Sequence, residues 1–575
     1  MRVRQLTAAA AALLLAAGLG GCTGGHSRTP APAPIPADPT ATTGDVRPAE
    51  RASVRDGGTV RWALDGVPAT LNVYQREANA DSALLAHALY PSLFRPDEHG
   101  RLAPDPDYLA SAESTPPGQQ PQVVTYRLNP HAVWSDGTPL SAADLTAQRA
   151  ALSGLDPAYR GGRPAGYDAV DSIVQGADPR EVKVTFRRPY AEWRSLFAPL
   201  YPAAETGTPG AFNRALTGGS HLSAGPYAVA RYDADGGRVT LARNPLWWGD
   251  RPKADQLDFQ AAPPERRLDA LDQDRLDVAP LTAVVDRAGT GAGTQALQRA
   301  ERLPGITVHR AAAPSLTQLT VNAARGPLTD PAVRRALARA VDRRRVAEAA
   351  LAPLGLPGAP LGSHLLAQGQ EGYRDDSAAA GPEDAGRQLD AAGWTRKGGG
   401  TRAKDGKELA LTLLVPSGSA AAERTADALR VVLAEAGVAV KPVTAPGETF
   451  VQEELVAGDY DLALFSWPAG PNPAGEQRPA YAKPRPDPDG ALAPGANYGR
   501  SGTEEIDHLF DRAAAELDPA ARADLLQEAD VRIWQLGHSV PLYQRPDLVA
   551  VRTGLRGVGA FGFAWPRFQD VGWSG

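Results

Sequence analysis

The chain of 575 residues holds one cysteine, one methionine and seven lysines. With Cys22 as the only thiol, no intramolecular disulfide and no zinc cluster built on several cysteines can form. Lysine is scarce, but 60 basic residues stand against 66 acidic ones, for a net charge of −6. A nucleic-acid footprint needs a basic face, so this balance argues against such a partner. The nine histidines are scattered, and no pair has the spacing of a helical zinc site. Neither a Gly-x-Ser-x-Gly elbow nor a phosphate-binding Gly-x-x-x-x-Gly-Lys occurs. Gly557-Val-Gly559-Ala-Phe-Gly562 fits the dinucleotide pattern letter by letter, but only 13 residues follow it. That is too short for the βαβ unit which gives the pattern its meaning, so it reads as a terminal loop. No metal and no cofactor is expected. Acids are plentiful, yet nothing marks a catalytic pair, and the chain reads as a binder rather than an enzyme.

What is present begins with Arg2 and Arg4, followed by an uncharged Ala- and Leu-rich run from Leu6 to Leu19. A basic start, a short apolar run and small residues before a cleavage point describe a secretory signal. The run falls short of the roughly 20 residues a membrane span requires. Leu19-Gly20-Gly21-Cys22 resembles the lipobox of bacterial lipoproteins. That resemblance implies that residues 1–21 are removed and that Cys22 becomes a lipid-modified N-terminus. Thr23–Asp56 has six prolines and no aromatic residue. Such a segment cannot bury a core, so 22–56 is expected to be a disordered tether, about 30 Å in root-mean-square span.

The body is expected from Gly57. Val60, Trp62 and Leu64 alternate within Thr59–Leu64, as in a half-buried strand. Asp81 is the expected cap of a helix carrying Leu84, Leu85, Ala88 and Leu89, and Ser141 with Asp144 has the pattern of a helix start. Asp330 and Pro331 open a helix whose stripe is Val333, Ala336, Leu337, Ala340 and Val341. Arg334, Arg335 and Arg339 fall outside the stripe and read as a solvated face. From Leu409 to Trp467 strand and helix patterns alternate, which predicts a parallel α/β unit. Ligands in such sheets sit beyond the carboxyl ends of the strands, so the proline-rich segment after Trp467, expected to be irregular through Arg500, is a candidate site. Ser501–Leu536 reads as mostly helical, and Val540–Tyr543 and Leu548–Val551 as two closing strands.

Several motifs then occur in order. Trp134-Ser-Asp136-Gly137-x-Pro139-Leu-x-Ala-x-Asp144-Leu145, Gly225-Pro226-Tyr227 and Asn244-Pro245-x-Trp247-Trp248-Gly249 come first. Asp330-x-x-Val333-Arg334-x-Ala336-Leu337-x-x-Ala340-x-Asp342-Arg343, Ala391-Ala392-Gly393-Trp394 and Pro541-Leu542-Tyr543 follow. Together they resemble the family 5 extracellular solute-binding proteins that serve ABC importers of peptides and nickel. The resemblance covers nearly all of 57–575. It implies an α/β, two-lobed periplasmic-binding-protein-like (type II) fold with an additional inserted subdomain in the first lobe. The first lobe would take 57–92, 224–313 and 538–575, the inserted subdomain 93–223, and the second lobe 314–537. Peptide-binding members carry an Asp after the strand that ends here at Trp467, and it pairs with the peptide's α-ammonium. In this chain Gly470 stands in its place, Asn472 replaces a second acid, and Glu476 is an acid that could substitute.

By the same analogy the candidate ligand contacts are Asn72, Tyr74 and Gln75 after the first strand, Trp467 and Asn472 after the second-lobe strand, and Asn497 and Tyr498 further on. Each also has a plain reading: Asn72 as a turn residue, Trp467 as core packing, Asn497 and Tyr498 as ordinary loop. Trp247 and Trp248 read as structural. The implied function is a lipid-anchored, monomeric receptor that takes a peptide or other small solute to ABC permease and ATPase subunits. It would be held on the outer face of the cytoplasmic membrane. The alternatives are a lipoprotein of this fold that acts in envelope assembly or regulation, and an exported hydrolase. One consequence follows directly: Cys22→Ala should release the protein from the membrane fraction, and unchanged retention on fractionation would refute the anchor.

Overall fold

The computed structural model describes residues 44–575 except 215, 219–220, 288–290, 382–383, 448, 487–491 and 494. Cys22, the expected signal peptide and the first part of the expected tether lie outside the described residues. Among the described residues no helix is long and apolar enough to cross a membrane.

A ten-stranded mixed sheet organises the chain. Its strands are β1 Thr59–Leu64, β2 Tyr227–Asp233, β3 Arg238–Arg243, β4 Gln256–Ala261 and β5 Val278–Pro280. They continue with β6 Ile306–Val321, β7 Ala410–Pro416, β8 Ala439–Ala445, β9 Leu462–Pro468 and β10 Ser539–Arg552. The spatial order is β8-β7-β9-β6-β10-β5-β1-β4-β3-β2. Two long antiparallel strands at the centre, β6 and β10, belong to both halves. Ser315–Val321 of β6 pairs with β9, while Val549–Val551 of β10 pairs with β5. The β6–β10 register shifts between Ala312 and Leu316 and again between Thr317 and Gln318. Proline has no N–H to give to a ladder, and Pro314 and Pro546 sit at this irregular stretch.

On one side, β7 pairs in parallel with both β8 and β9, and the helix Ala420–Glu435 connects β7 to β8. Leu411, Leu413, Leu429, Leu433 and Leu462 form the buried core there, together with Val333, Leu337 and Trp534. A smaller core holds the helices Glu504–Ala515 and Pro519–Leu536 through Phe510, Leu526 and Ile533. On the other side, Val60, Trp62 and Phe259 are buried in one cluster with Val124, Tyr126, Val182 and Phe186. The latter four belong to a separate antiparallel sheet of Leu109–Ser114, Val123–Leu128, Glu181–Phe186 and Val170–Gln175, in that order.

Local signals match where the partners are local. Ser141 and Asp144 form the reciprocal cap of Ala142–Leu152, and Asp330 caps Pro331–Ala340. Trp247 and Trp248 pack on Tyr108. Several expectations are corrected. The helix Ala80–Leu89 is capped by Asn79 with Ser82, because Asp81 is drawn away to accept the backbone N–H groups of Asp65 and Gly66. The two closing strands are one, β10. The segment after Trp467 is not irregular throughout: Pro473–Tyr481 is helical. Residues 44–56, expected within the tether, are docked. Asp45–Val46 pairs with Gly559–Ala560, and the Asp45 carboxylate accepts the Arg310 N–H at 2.9 Å and meets His309 Nδ1 at 3.0 Å. The backbone ladder, the Asp45 carboxylate and the Arg47 and Arg51 side chains, which reach Thr307, Thr553, Gln569 and Asp570, do most of this, and composition does not signal such contacts. A Cβ at Gly559 would overlap the Asp45 backbone, which accounts for that glycine.

Arg334 is not on a solvated face. It is 4% exposed and donates to Leu536 O, Leu328 O and Thr329 O at 3.1, 2.9 and 3.3 Å. The C-terminal end of Pro519–Leu536 covers it, and a guanidinium there satisfies carbonyls that a helix end leaves open. Arg334→Ala should therefore cost about 1–3 kcal/mol, the range for unpaired buried polar groups. Arg335→Ala, with one long contact to Gln535 O, should cost less. Denaturant midpoints check this, and equal losses would refute it.

Candidate functional site

The strand β9 ends at Pro468, and the chain then turns through Gly470, Pro471 and Asn472 into the helix Pro473–Tyr481. Proline at its first position suits a helix start, but Asn472 makes no side-chain cap. The cap comes from the other side of the molecule. Glu192, beside the short turn Trp193–Ser195, accepts the Ala474 and Gly475 N–H groups at 2.8 and 2.9 Å. A carboxylate at a helix N-terminus meets unpaired donors and the positive end of the dipole. Gly475 permits this approach, since a Cβ there would stand 2.6 Å from Ala165 Cβ. Burial nevertheless dominates and pushes the Glu192 carboxyl up to about 7. The two N–H bonds and Arg522 oppose that rise, and Glu476 adds to it.

Two adjoining cavities, of about 380 and 250 Å³, share Leu102, Arg194, Pro471 and Asn472. The larger one is bounded by Glu192 and Arg194 on one side and by Ser363, Arg374, Asp376, Arg522 and Asp530 on the other. The smaller one is lined by Tyr74, Tyr167, Tyr190, Trp565 and Glu476. The two sides touch directly: Ala191 N–H donates to Ala514 O at 2.7 Å, and His99 Nδ1 lies 3.0 Å from Gly369 O. Gln370 Nε2 donates to Gly470 O at 3.1 Å.

Gly470 gives Glu476 its place. A Cβ at 470 would overlap the Glu476 carboxylate, so the missing side chain leaves room for a carboxylate from one turn into the helix. Asn472 Nδ2 donates to Glu476 Oε1 at 3.2 Å. Among the described residues no cation pairs with it, and burial raises its titration point. Burial also pushes Asp376 up to about 6, with the Asp530 charge adding to it.

Of the expected contacts, the structure brings Tyr74 and Asn472 to these cavities. Asn72 is fully buried, and its side-chain oxygen holds a turn by accepting the Tyr74 N–H at 3.1 Å. Gln75 Nε2 donates to Phe212 O. Trp467 packs edge-on against Phe465 and Tyr498. Asn497 Nδ2 donates to Ala482 O and Ser501 O at 2.6 and 2.7 Å, and its Oδ1 faces His538 Nε2 at 2.9 Å. Glu192, Arg194 and Arg522 were not anticipated. They lie far apart in sequence, in segments with no motif, and nothing local marks them. Among the described residues no group of three or more His, Cys, Asp or Glu could hold a metal.

Residues 108–488 match the family described as bacterial extracellular solute-binding proteins, family 5 Middle. The chain is also 37% identical over 539 residues to the oligopeptide-binding protein OppA of Mycobacterium tuberculosis, covering 92% of this chain and 87% of that one. This chain is a family 5 solute-binding protein. A second relative is the probable monoacyl phosphatidylinositol tetramannoside-binding protein LpqW of Mycobacterium tuberculosis. It is 28% identical over 272 residues, 45% of this chain and 40% of that protein. Among solved structures, the periplasmic EDTA-binding protein EppA superposes with a TM-score of 0.79 at 25% identity, over 94% of this chain and all of that one. The fold is thus the two-lobed type II arrangement of the family.

Glu192 is buried where the two sides of the cavities meet. If opening returns it to the ordinary 4.5, closure takes up a proton. The closed form should therefore gain as pH falls from 8 toward 5, and that gain should fade as pH rises through about 7. Small-angle scattering across this range checks the sign, with Glu192→Gln flattening the profile. A profile that Glu192→Gln leaves unchanged would show that another group is responsible.

Proposed function

We propose that this chain is the lipid-anchored solute receptor of an ABC importer, that it takes up an oligopeptide-like ligand between its lobes, and that it hands it to a permease. The lobes are taken as 57–92 with 224–313 and 538–575, and 314–537, with 93–223 as the inserted subdomain. One observation carries the ligand class: Glu476, a half-buried carboxylate without a cation among the described residues, lines an aromatic-walled cavity of a chain 37% identical to an oligopeptide-binding protein. A peptide α-ammonium would supply the missing partner. Tyr74, Tyr190 and Trp565 would offer ring faces to the same cation. Gly470 thus relocates an acid rather than deleting it. Asn72, Gln75, Trp467, Asn497 and Tyr498 support the walls from behind, and Asn472 orients the Glu476 carboxylate.

The anchor rests on the Leu19–Cys22 pattern, and membrane attachment would keep the receptor near its permease. Binding without chemistry fits the absence of any nucleophile–base pair in the sequence motifs. A second reading, action in envelope assembly, is favoured by the partial likeness to LpqW; a glycolipid would be its ligand.

Native mass spectrometry of gently purified protein should show a retained peptide. Short peptides with free amino termini should raise the melting temperature, and N-acetylated versions should bind at least tenfold more weakly. Glu476→Gln should erase that difference, since one partner of a buried pair is lost. A retained glycolipid, or no stabilisation by peptides of any length, would overturn the peptide reading.

A further inference from the structure

Trp565 borders two cavities at once. It lines the one of about 250 Å³ that holds Tyr74 and Glu476, and it also lines one of about 710 Å³. The second of these is walled by the docked N-terminal segment, through Gly44, Val46, Pro48, Ala49, Arg51 and Val54. A core aromatic is fixed by close packing around it; an aromatic that borders two cavities needs other supports. The Trp565 ring stacks on His87, with centroids 4.1 Å apart at 25°. Burial pushes the titration of that imidazole down to about 3, so a neutral ring meets the indole. Arg95 donates to Trp565 O and Pro566 O at 3.0 and 3.1 Å.

The remaining support comes along the chain. Trp565 closes the glycine-rich loop Gly557-Val-Gly559-Ala-Phe-Gly562, whose pattern has no cofactor role in this sequence. Each glycine there serves the geometry of the loop. Gly557 and Gly562 take positive φ angles of 73° and 61°, which favour glycine, and Gly559 leaves room for the Asp45 backbone. Gly559 and Ala560 pair with Val46 and Asp45, and Gly557 N–H donates to Arg47 O at 3.3 Å. The N-terminal segment is fastened in turn to β6. Asp45 holds His309 and the Arg310 N–H, and Arg47 donates to Thr307 Oγ1 at 2.9 Å. Past the ladder, burial pushes the Asp547 carboxyl of β10 up to about 6, against the effect of the Phe561 and Gly562 N–H groups. Phe563 is buried with Leu316 and Leu361. The two-residue ladder is thus the first clamp on a loop that ends in the wall of the smaller cavity.

We propose that residues 44–54 are a strap that braces the Trp565 wall, so that docking of the strap and occupation of the smaller cavity favour each other. A docked strap presents the Trp565 ring already in place. A solute packed on that ring stiffens the loop with which the strap must pair. Coupling through a shared element is reciprocal: whatever factor the strap adds to solute affinity, the solute adds to strap docking. A two-residue ladder with polar fastenings belongs to the low-stability end of a structure and opens before the core does. The strap continues into the expected tether, so the state of the cavity reaches the anchored end of the chain. This last step rests on the cavity being the solute site and on the anchor, as proposed above.

The test follows amide hydrogen exchange in the full-length chain in detergent, with no solute added. Asp45→Ala removes the carboxylate, Gly559→Ala puts a Cβ against the Asp45 backbone, and the double variant does both. None of these residues lines the smaller cavity. Exchange at residues 563–565 should rise at least tenfold in the double variant and by less in each single one, while Ala410–Pro416 keeps its wild-type rate and so reports an intact body. A strap that exchanges faster while 563–565 do not change overturns the brace. A strap that stays protected in the double variant also overturns it, because the named contacts would not be what holds it. Trialanine then tests the coupling by isothermal titration. The double variant should bind it at least threefold more weakly, and trialanine should slow exchange at Asp45 and Val46 in wild type by the same factor. Equal affinity in wild type and double variant overturns the coupling. If trialanine binds neither protein, the peptide reading is what fails, and exchange at 563–565 alone decides the brace.

Discussion

Everything in this molecule hangs on the pairing of β6 with β10. Each is long enough to be a strand of both halves of the sheet, so the backbone ladder that stabilises one lobe continues into the other. The ladder is interrupted at 313–315, where Pro314 cannot donate. A regular ladder is stiff and a proline-broken one is less so. The cleft is the space left beside that crossing.

Across the cleft, electrostatics replaces packing. The helix Pro473–Tyr481 carries Asn472 and Glu476 at its start, yet its free N–H groups are satisfied by Glu192 from the facing side. The helix end that shapes the site is therefore completed by a residue far away in sequence. Burial of Glu192 and Glu476 is unfavourable for each charge.

The docked segment 44–56 adds a constraint at the other end. Asp45 ties it to His309 and Arg310 of β6, and Val54 is buried beside the C-terminal residues. The chain thus enters the body at one of the two crossing strands.

The sequence by itself determined what depends on near neighbours. The strand Thr59–Leu64, the caps at Ser141 and Asp330, and the β-α-β alternation from 409 to 467 are set by side-chain period and by contacts within a few residues, and the ordered motifs carried the family. Only tertiary structure decided which charged groups matter. Arg334 looked like a surface residue until a second helix covered it. Asn72 and Asn497 hold backbone groups, the Tyr74 N–H and the Ala482 and Ser501 carbonyls. Glu192 carries no local mark, because the N–H groups it caps lie hundreds of residues away. Periodicity reports which face of an element is apolar; it does not report what comes to lie against the polar face, and in this protein that is where the site is built.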